Sequence, residues 1–531
     1  MYSQKRLMSL FDSLGPIMIG PSSSHTAGIA RIGRMGRQFL VGSPDSIELH
    51  FYGALSQTYK GHFSDSAVVG GLIGLHEDSP ELSESLKIAT KMGITVSYVL
   101  EPDSQRNPNT VDMRLVKGNE SVKIVGISTG GGEILISEFN DFSIKLHGNE
   151  DALLLITRRT VSEDEIAAHV GDSLQNFSTA ELRERKLSIC FLKQSPSGKL
   201  AEKVKNAIAA EAVYAISSIY DYKLTNSEPL FSSFAEMLNL CERQKVSIAD
   251  MAIAYEKCRS GLDYEGILNR IQNIWDVMVK SIEHGIHGHN DLVAGFMPGN
   301  DAAKLMKLVD ERKNISGSIL GAAVARALAT METNGCMGCV AAAPTAGSCG
   351  VMPGSLVTLA EAQNANQEKI FEALLAGAMV GVLIAMRAPV SGAIGGCQSE
   401  IGVASAMTAA GLVQLVGGSP KQVAHAAALA LKNMLGLICD PVAGPVEIPC
   451  IKRNAIGVAN AFAAADMALA GIESIIPPDE VIDALINVQN LLPMELKGTL
   501  KGGLACTSTA QRLNEMWKKK LADKGKRCSQ N

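Results

Sequence analysis

Charge and aromatic rings are both scarce in this chain. Charged residues make up 19% and aromatics 5%, where an average soluble protein has roughly 25% charged residues. Few charges leave little to cover a wide solvent shell, which suggests a chain that buries surface in a homodimer or higher homo-oligomer. A basic excess is missing too: 49 Lys and Arg stand against 54 Asp and Glu, a net charge of −5. That balance argues against a nucleic-acid partner, which needs a basic surface. The one basic cluster, Lys518 to Arg527, reads as a solvated terminus. No apolar run is long enough for a membrane; the longest uncharged one, Ala373 to Met386, has about 14 residues where a span needs ~20. The start, Met1-Tyr2-Ser3-Gln4-Lys5-Arg6, leads into an amphipathic stretch without the apolar core of a secretory leader. A soluble cytoplasmic enzyme is the expectation.

Against these absences stand length, glycine and cysteine. The 531 residues suggest three or four domains at roughly 150 residues each. Fifty glycines allow helices to pack closely through small side chains. The eleven cysteines are an odd number, and cytosolic thiols stay reduced, so no disulfide framework is expected. Cys190, Cys241 and Cys258 are scattered and read as free buried thiols. The other eight all follow residue 335.

Periodicity divides the chain into three. Residues 1–150 read as α+β, with alternation over Ser46–Tyr52 and Val122–Ile127 and a helical pattern over Ala67–Leu75. Residues 151–226 read as a small α+β unit of strand, helix, strand, helix, strand. Its strands are Ala152–Thr157, Leu187–Leu192 and Val213–Tyr222, and its clearest helix is Ser197–Ala210. Residues 227–531 read as all-helical, with Leu320, Val324, Leu328 and Met331 at helical spacing. Ser419-Pro420-Lys421-Gln422 predicts a capped helix start. Pro477-Pro478-Asp479 opens a helix ending near Leu492.

Two groups of cysteine compete as a metal site. Cys336-Met337-Gly338-Cys339, with Cys349 beyond, has a C-x-x-C bite but no second pair or histidine to close a zinc site; small residues at a packed helix junction explain it as well. Cys397, Cys439 and Cys450 each sit in a Gly/Pro-rich loop whose backbone amides can hydrogen-bond the sulfurs of a cluster. Near the start, Gly20-Pro21-Ser22-Ser23-Ser24-His25-Thr26-Ala27-Gly28 sets hydroxyls beside an imidazole. Such a turn can bind a carboxylate and move a proton; Ser22 alone reads better as a helix cap. A second imidazole lies in Tyr59-Lys60-Gly61-His62. Asn107-Pro108-Asn109-Thr110 is a further polar turn, and Gly130-Gly131-Gly132 fits a phosphate cradle or, more simply, a tight turn. His284, His287 and His289 read as loop residues.

Taken in order, these motifs resemble iron–sulfur-dependent L-serine dehydratase (L-serine ammonia-lyase). Ile19 to Gly28, Tyr59 to His62 and Gly130 to Gly132 are similar to the family's β part. Pro344 to Ser348, Ser391 to Glu400, Gly436 to Gly444, Pro449 to Ala455 and Gly502 to Ala505 are similar to its α part. The resemblance implies an L-serine substrate, a [4Fe–4S] cluster on Cys397, Cys439 and Cys450, and elimination of water to pyruvate and ammonia. His25 or His62 is then the expected base. Ser23, Ser24, Thr26 and Lys60 are the expected substrate-binding residues, with Arg453 a further charge partner. The middle unit stands where several relatives carry a regulatory ACT domain. Arg387-Ala388-Pro389 departs from the family's usual Asn-Ala-Ser, and Cys528 can be a free tail thiol or a transient fourth ligand. Two other readings stay open: a pyridoxal-phosphate dehydratase with Lys60 as Schiff base, and a non-catalytic amino-acid sensor.

Overall fold

A computed structural model describes residues 8–528, apart from 103, 221, 223–227, 289 and 290. The first part is a six-stranded sheet in the order Thr95–Glu101, Ser46–Tyr52, Thr110–Lys117, Glu120–Gly130, Glu133–Phe139, Phe142–Leu146. Only the first pair is parallel; the others are antiparallel. Two helices, Gly28–Arg37 and Ser64–Ile73, cross against each other with almost no space between their backbones. A Cβ on Gly33 would lie 2.3 Å from the Val68 carbonyl oxygen, and one on Gly71 2.1 Å from that of Ala30. Both helices follow directly on the histidine motifs, so glycine packing here sets where the imidazoles stand.

The second sheet runs Ala212–Ile216, Asp151–Thr157, Arg185–Leu192, Leu174–Leu182, all antiparallel. Helices Glu163–Val170 and Gly198–Ile208 complete a β-α-β-β-α-β order. This unit has four strands where sequence pattern indicated three, and the strand expected over Val213–Tyr222 stops at Ile216. Every residue of Asp151–Thr157 is buried. Successive side chains of a strand point to opposite faces; Ala152, Leu154 and Ile156 join the core of the six-stranded sheet, while Leu153 and Leu155 pack under the two helices. The boundary expected at residue 226 lies outside the described residues.

From Phe234 onward the chain is helical, apart from the short strand Cys339–Ala341. Its centre holds Val403–Leu415, buried at every position, beside Gln367–Ala385. The Ser419 capping box and the helix Pro478–Leu491 match expectation. His284 and His287 do not lie in a loop: they sit in the last turn of the helix Tyr264–His287, because the apolar spacing of Ile271, Ile274, Met278 and Ile282 carries the helix past them. His289 lies outside the described residues. The chain is thus multidomain, with a mixed α/β N-terminal part and a helical C-terminal part. An antiparallel pair, Ile17–Ile19 with Cys339–Ala341, ties the two together in the register Ile17 to Ala341. Among the described residues no helix is long and apolar enough to cross a membrane.

Candidate active site

At that junction both parts line one small cavity of about 70 Å³. The N-terminal part contributes Ser22, Ser24, His25 and His62; the helical part contributes Ser391, Cys397, Glu400, Cys439, Cys450 and Arg453.

The histidine side is held by reciprocal ties. Ser23–Ala27 forms a single π-helical turn, capped where the Ser22 hydroxyl accepts from the His25 backbone N–H at 3.0 Å. The Thr26 hydroxyl donates to the His62 carbonyl at 2.6 Å, and the Ser64 hydroxyl donates to the His25 carbonyl at 2.6 Å. The two rings meet with Nδ1 to Nδ1 at 2.7 Å. Nε2 of His25 lies 2.9 Å from Asn109 Oδ1, and the Thr58 hydroxyl is 3.2 Å from His25 Nδ1. Asn109 Nδ2 donates to the Ser128 carbonyl at 3.3 Å, which leaves Oδ1 as the acceptor facing His25. His25 Nε2 therefore carries the proton, its Nδ1 accepts, and the hydrogen between the rings belongs to His62 Nδ1. Neutral His62 is then left with a bare Nε2. Burial holds both imidazoles below their ordinary value of 6.5 despite the Asn109 contact to His25, and His25 pushes His62 further down.

Opposite them, three loops bring the thiols together. Cys397 follows Gly396, whose φ of +82° is open to glycine. The Cys439 backbone is pinned on both sides: its N–H donates to the Leu496 carbonyl at 2.9 Å, and its carbonyl accepts from Gly498 at 2.7 Å. Cys450 starts the helix Cys450–Leu469. The sulfurs of Cys397 and Cys439 and a carboxylate oxygen of Glu400 lie within 4.8 Å of one another. A hydrogen bond with Cys397, and then burial, hold the Cys439 thiol up; burial and the Cys397 charge do the same to Cys450. The Cys397 and Cys439 thiols are buried and that of Cys450 is half-buried, and three thiols lining one small cavity make a donor set suited to a thiophilic cationic centre. Glu400 is pushed up to about 7 by burial, and its Oε1 accepts from the Thr345 hydroxyl at 3.0 Å.

Ser24, His25, His62 and the three cysteines thus share the cavity lining, as does Ser22, which also caps its turn. Ser23 is buried outside that lining. Thr26 spends its hydroxyl on the His62 carbonyl. Lys60 pairs with Asp65 and lies 5.2 Å from the Tyr59 and Tyr98 ring centroids, not on the cavity. Gly130, Gly131 and Gly132 all have positive φ at an irregular strand end; a Cβ on Gly130 would press at 3.2 Å on Cβ of Ser391. They form a tight turn against the site. Neither Cys336 nor Cys339 lines the cavity; the Cys336 thiol donates to the Thr333 carbonyl at 3.3 Å. Arg387 binds Asp479 and Asp483 rather than facing the cavity. The Cys528 side chain lies outside the described residues. Sequence pattern alone gives Asn109, Ser391 and Glu400 no role. The signals were present only as a polar turn and two motif positions.

Comparison with known proteins agrees with this division. Residues 243–505 match the family model "Serine dehydratase alpha chain", and residues 9–98 match "Serine dehydratase beta chain". The chain is 30% identical over 509 residues to the L-serine dehydratase of Haemophilus influenzae, covering 94% of this chain and 99% of that one. It is 29% identical to the L-serine dehydratase of Streptomyces coelicolor over 94% of this chain and 98% of the relative. A probable L-serine dehydratase alpha chain of Bacillus subtilis is 43% identical, covering 54% of this chain and 95% of that protein. With β-type and α-type parts in one polypeptide, the chain belongs to the serine dehydratase family of lyases.

Proposed function

We propose that this enzyme converts L-serine to pyruvate and ammonia, with Cys397, Cys439 and Cys450 holding a [4Fe–4S] cluster. The observation that carries the reading is one cavity with two imidazoles in contact at 2.7 Å on one wall and three thiols on the other. Bound there, such a cluster would supply a Lewis acid for a poor leaving group. His62, with Nε2 unprotonated, takes the α-proton, and His25 and Asn109 fix its tautomer. Ser22, Ser24 and Ser391 offer hydroxyls to the substrate carboxylate and ammonium. Loss of the α-proton and the β-hydroxyl gives aminoacrylate and water; tautomerisation and hydrolysis then release pyruvate and ammonia. The test is anaerobic reconstitution with iron and sulfide, followed by pyruvate release from L-serine, L-threonine and D-serine. Full activity on L-serine in a cluster-free preparation sinks the cluster reading, and no activity after full reconstitution sinks the substrate.

The β-α-β-β-α-β order of residues 151–216 supports an ACT-like regulatory role for that unit. A screen of free amino acids for a shift in its activity or melting temperature tests it. A homo-oligomer in the cytoplasm is the accompanying expectation, read by sedimentation and by cell fractionation.

A further inference from the structure

We propose that Arg453 is a positioning residue that pins the three cysteine loops to one another before a cluster is loaded. The inference rests on the reading of those cysteines as ligands. Arg453 lies one turn into the helix that begins at Cys450. Its Nη1 donates to the Ile438 carbonyl, next to Cys439, at 2.8 Å, and to the Cys397 sulfur at 3.4 Å. Its Nη2 lies 2.7 Å from Asp440 Oδ1. Asp440 in turn uses Oδ2 to accept from the Leu504 backbone N–H at 2.8 Å, adding the segment that already brackets Cys439. One cation therefore touches the Cys397 loop, the Cys439 loop and its own Cys450 helix. The fork is what matters: a guanidinium presents several fixed donors, whereas an ammonium is a single point charge. Backbone bonds hold the Cys439 loop to Leu496 and Gly498 and join Gln398 to Leu437; the guanidinium adds the side-chain contact that links these loops to the Cys450 helix.

The test has an apo arm and a loaded arm, each with Arg453→Gln, Arg453→Lys and Asp440→Asn. In the apo protein, hydrogen–deuterium exchange of the amides at 438–440 and 496–504 is expected to quicken about tenfold or more in Arg453→Gln. Asp440→Asn keeps the Leu504 contact and loosens them less. After anaerobic loading, iron loss to a chelator is expected to be about 10- to 100-fold faster in Arg453→Gln, with a shifted iron–sulfur absorption band; Arg453→Lys recovers only part of either. Exchange and chelator rates unchanged in Arg453→Gln and Asp440→Asn overturn the proposal. If wild type takes up no iron and sulfide, the ligand reading fails, and with it the loading role of Arg453, whatever the exchange shows.

Discussion

His25 and His62 face each other through their Nδ1 atoms at 2.7 Å, a contact that can hold one hydrogen and not two. Only the pair in which one ring donates and the other accepts is comfortable there. Replacing His62 with Gln is expected to lower kcat by about 10²- to 10⁴-fold, the usual worth of a positioned base. Asn109→Leu releases the His25 tautomer and is expected to cost less. Steady-state kinetics on L-serine checks both, and a His62→Gln enzyme with wild-type kcat removes it as the base.

Acid should act on this pair in two ways. Both imidazoles are held below 6.5 by burial, so kcat/KM is expected to hold through pH 6.5 and fall only at lower pH. Stability moves the same way. The unfolded histidines take up protons as pH drops through 6.5 while the folded ones do not, so the folded state loses stability over that window. His62→Gln is expected to flatten the slope in urea titrations from pH 7 to 5.5. A rate limb centred at or above 6.5 would contradict the burial argument.

Cys439→Ala removes one of three converging sulfurs without changing the backbone contacts to Leu496 and Gly498. It is expected to stay folded by circular dichroism yet lose the brown absorbance, the bound iron and sulfide, and the activity together. Cys336→Ala, whose thiol faces the Thr333 carbonyl, is expected to keep all of them. Visible spectra after reconstitution separate the two.

Gly71→Ala places a methyl group 2.1 Å from the Ala30 carbonyl oxygen. The helices must part, at an expected cost of about 1–3 kcal/mol in denaturant unfolding. Because those helices follow directly on the turns that hold His25 and His62, activity is expected to fall as well. An unchanged unfolding midpoint would show that the crossing can relax freely.

Much of this was legible in local pattern. Ser46–Tyr52 alternates cleanly because one face is buried, and Ser419 announces its helix by its cap. Leu174–Leu182 is not legible as a strand because it is an edge strand exposed along most of its length, leaving its polar residues no period to betray it. Tyr222 looks like strand in sequence because its ring packs on Phe11 and its hydroxyl binds Asp12, giving an apolar look to a connecting segment. In the site, the motifs marked the imidazoles and thiols but not their partners. Asn109 meets His25 across 84 positions, and the Thr345 hydroxyl meets Glu400 across 55. Contacts of that separation leave no trace in spacing.

The three-residue ladder between Ile17–Ile19 and Cys339–Ala341 has a consequence for the polypeptide link itself. A cavity walled by both parts needs them to meet, and strand pairing supplies an address for that meeting whether or not the backbone is continuous. The covalent join then acts as a tether: it raises the local concentration of one half around the other and guarantees one histidine wall for every cysteine wall. Two halves made as separate polypeptides would carry the same address, and would need only enough of each other to find it.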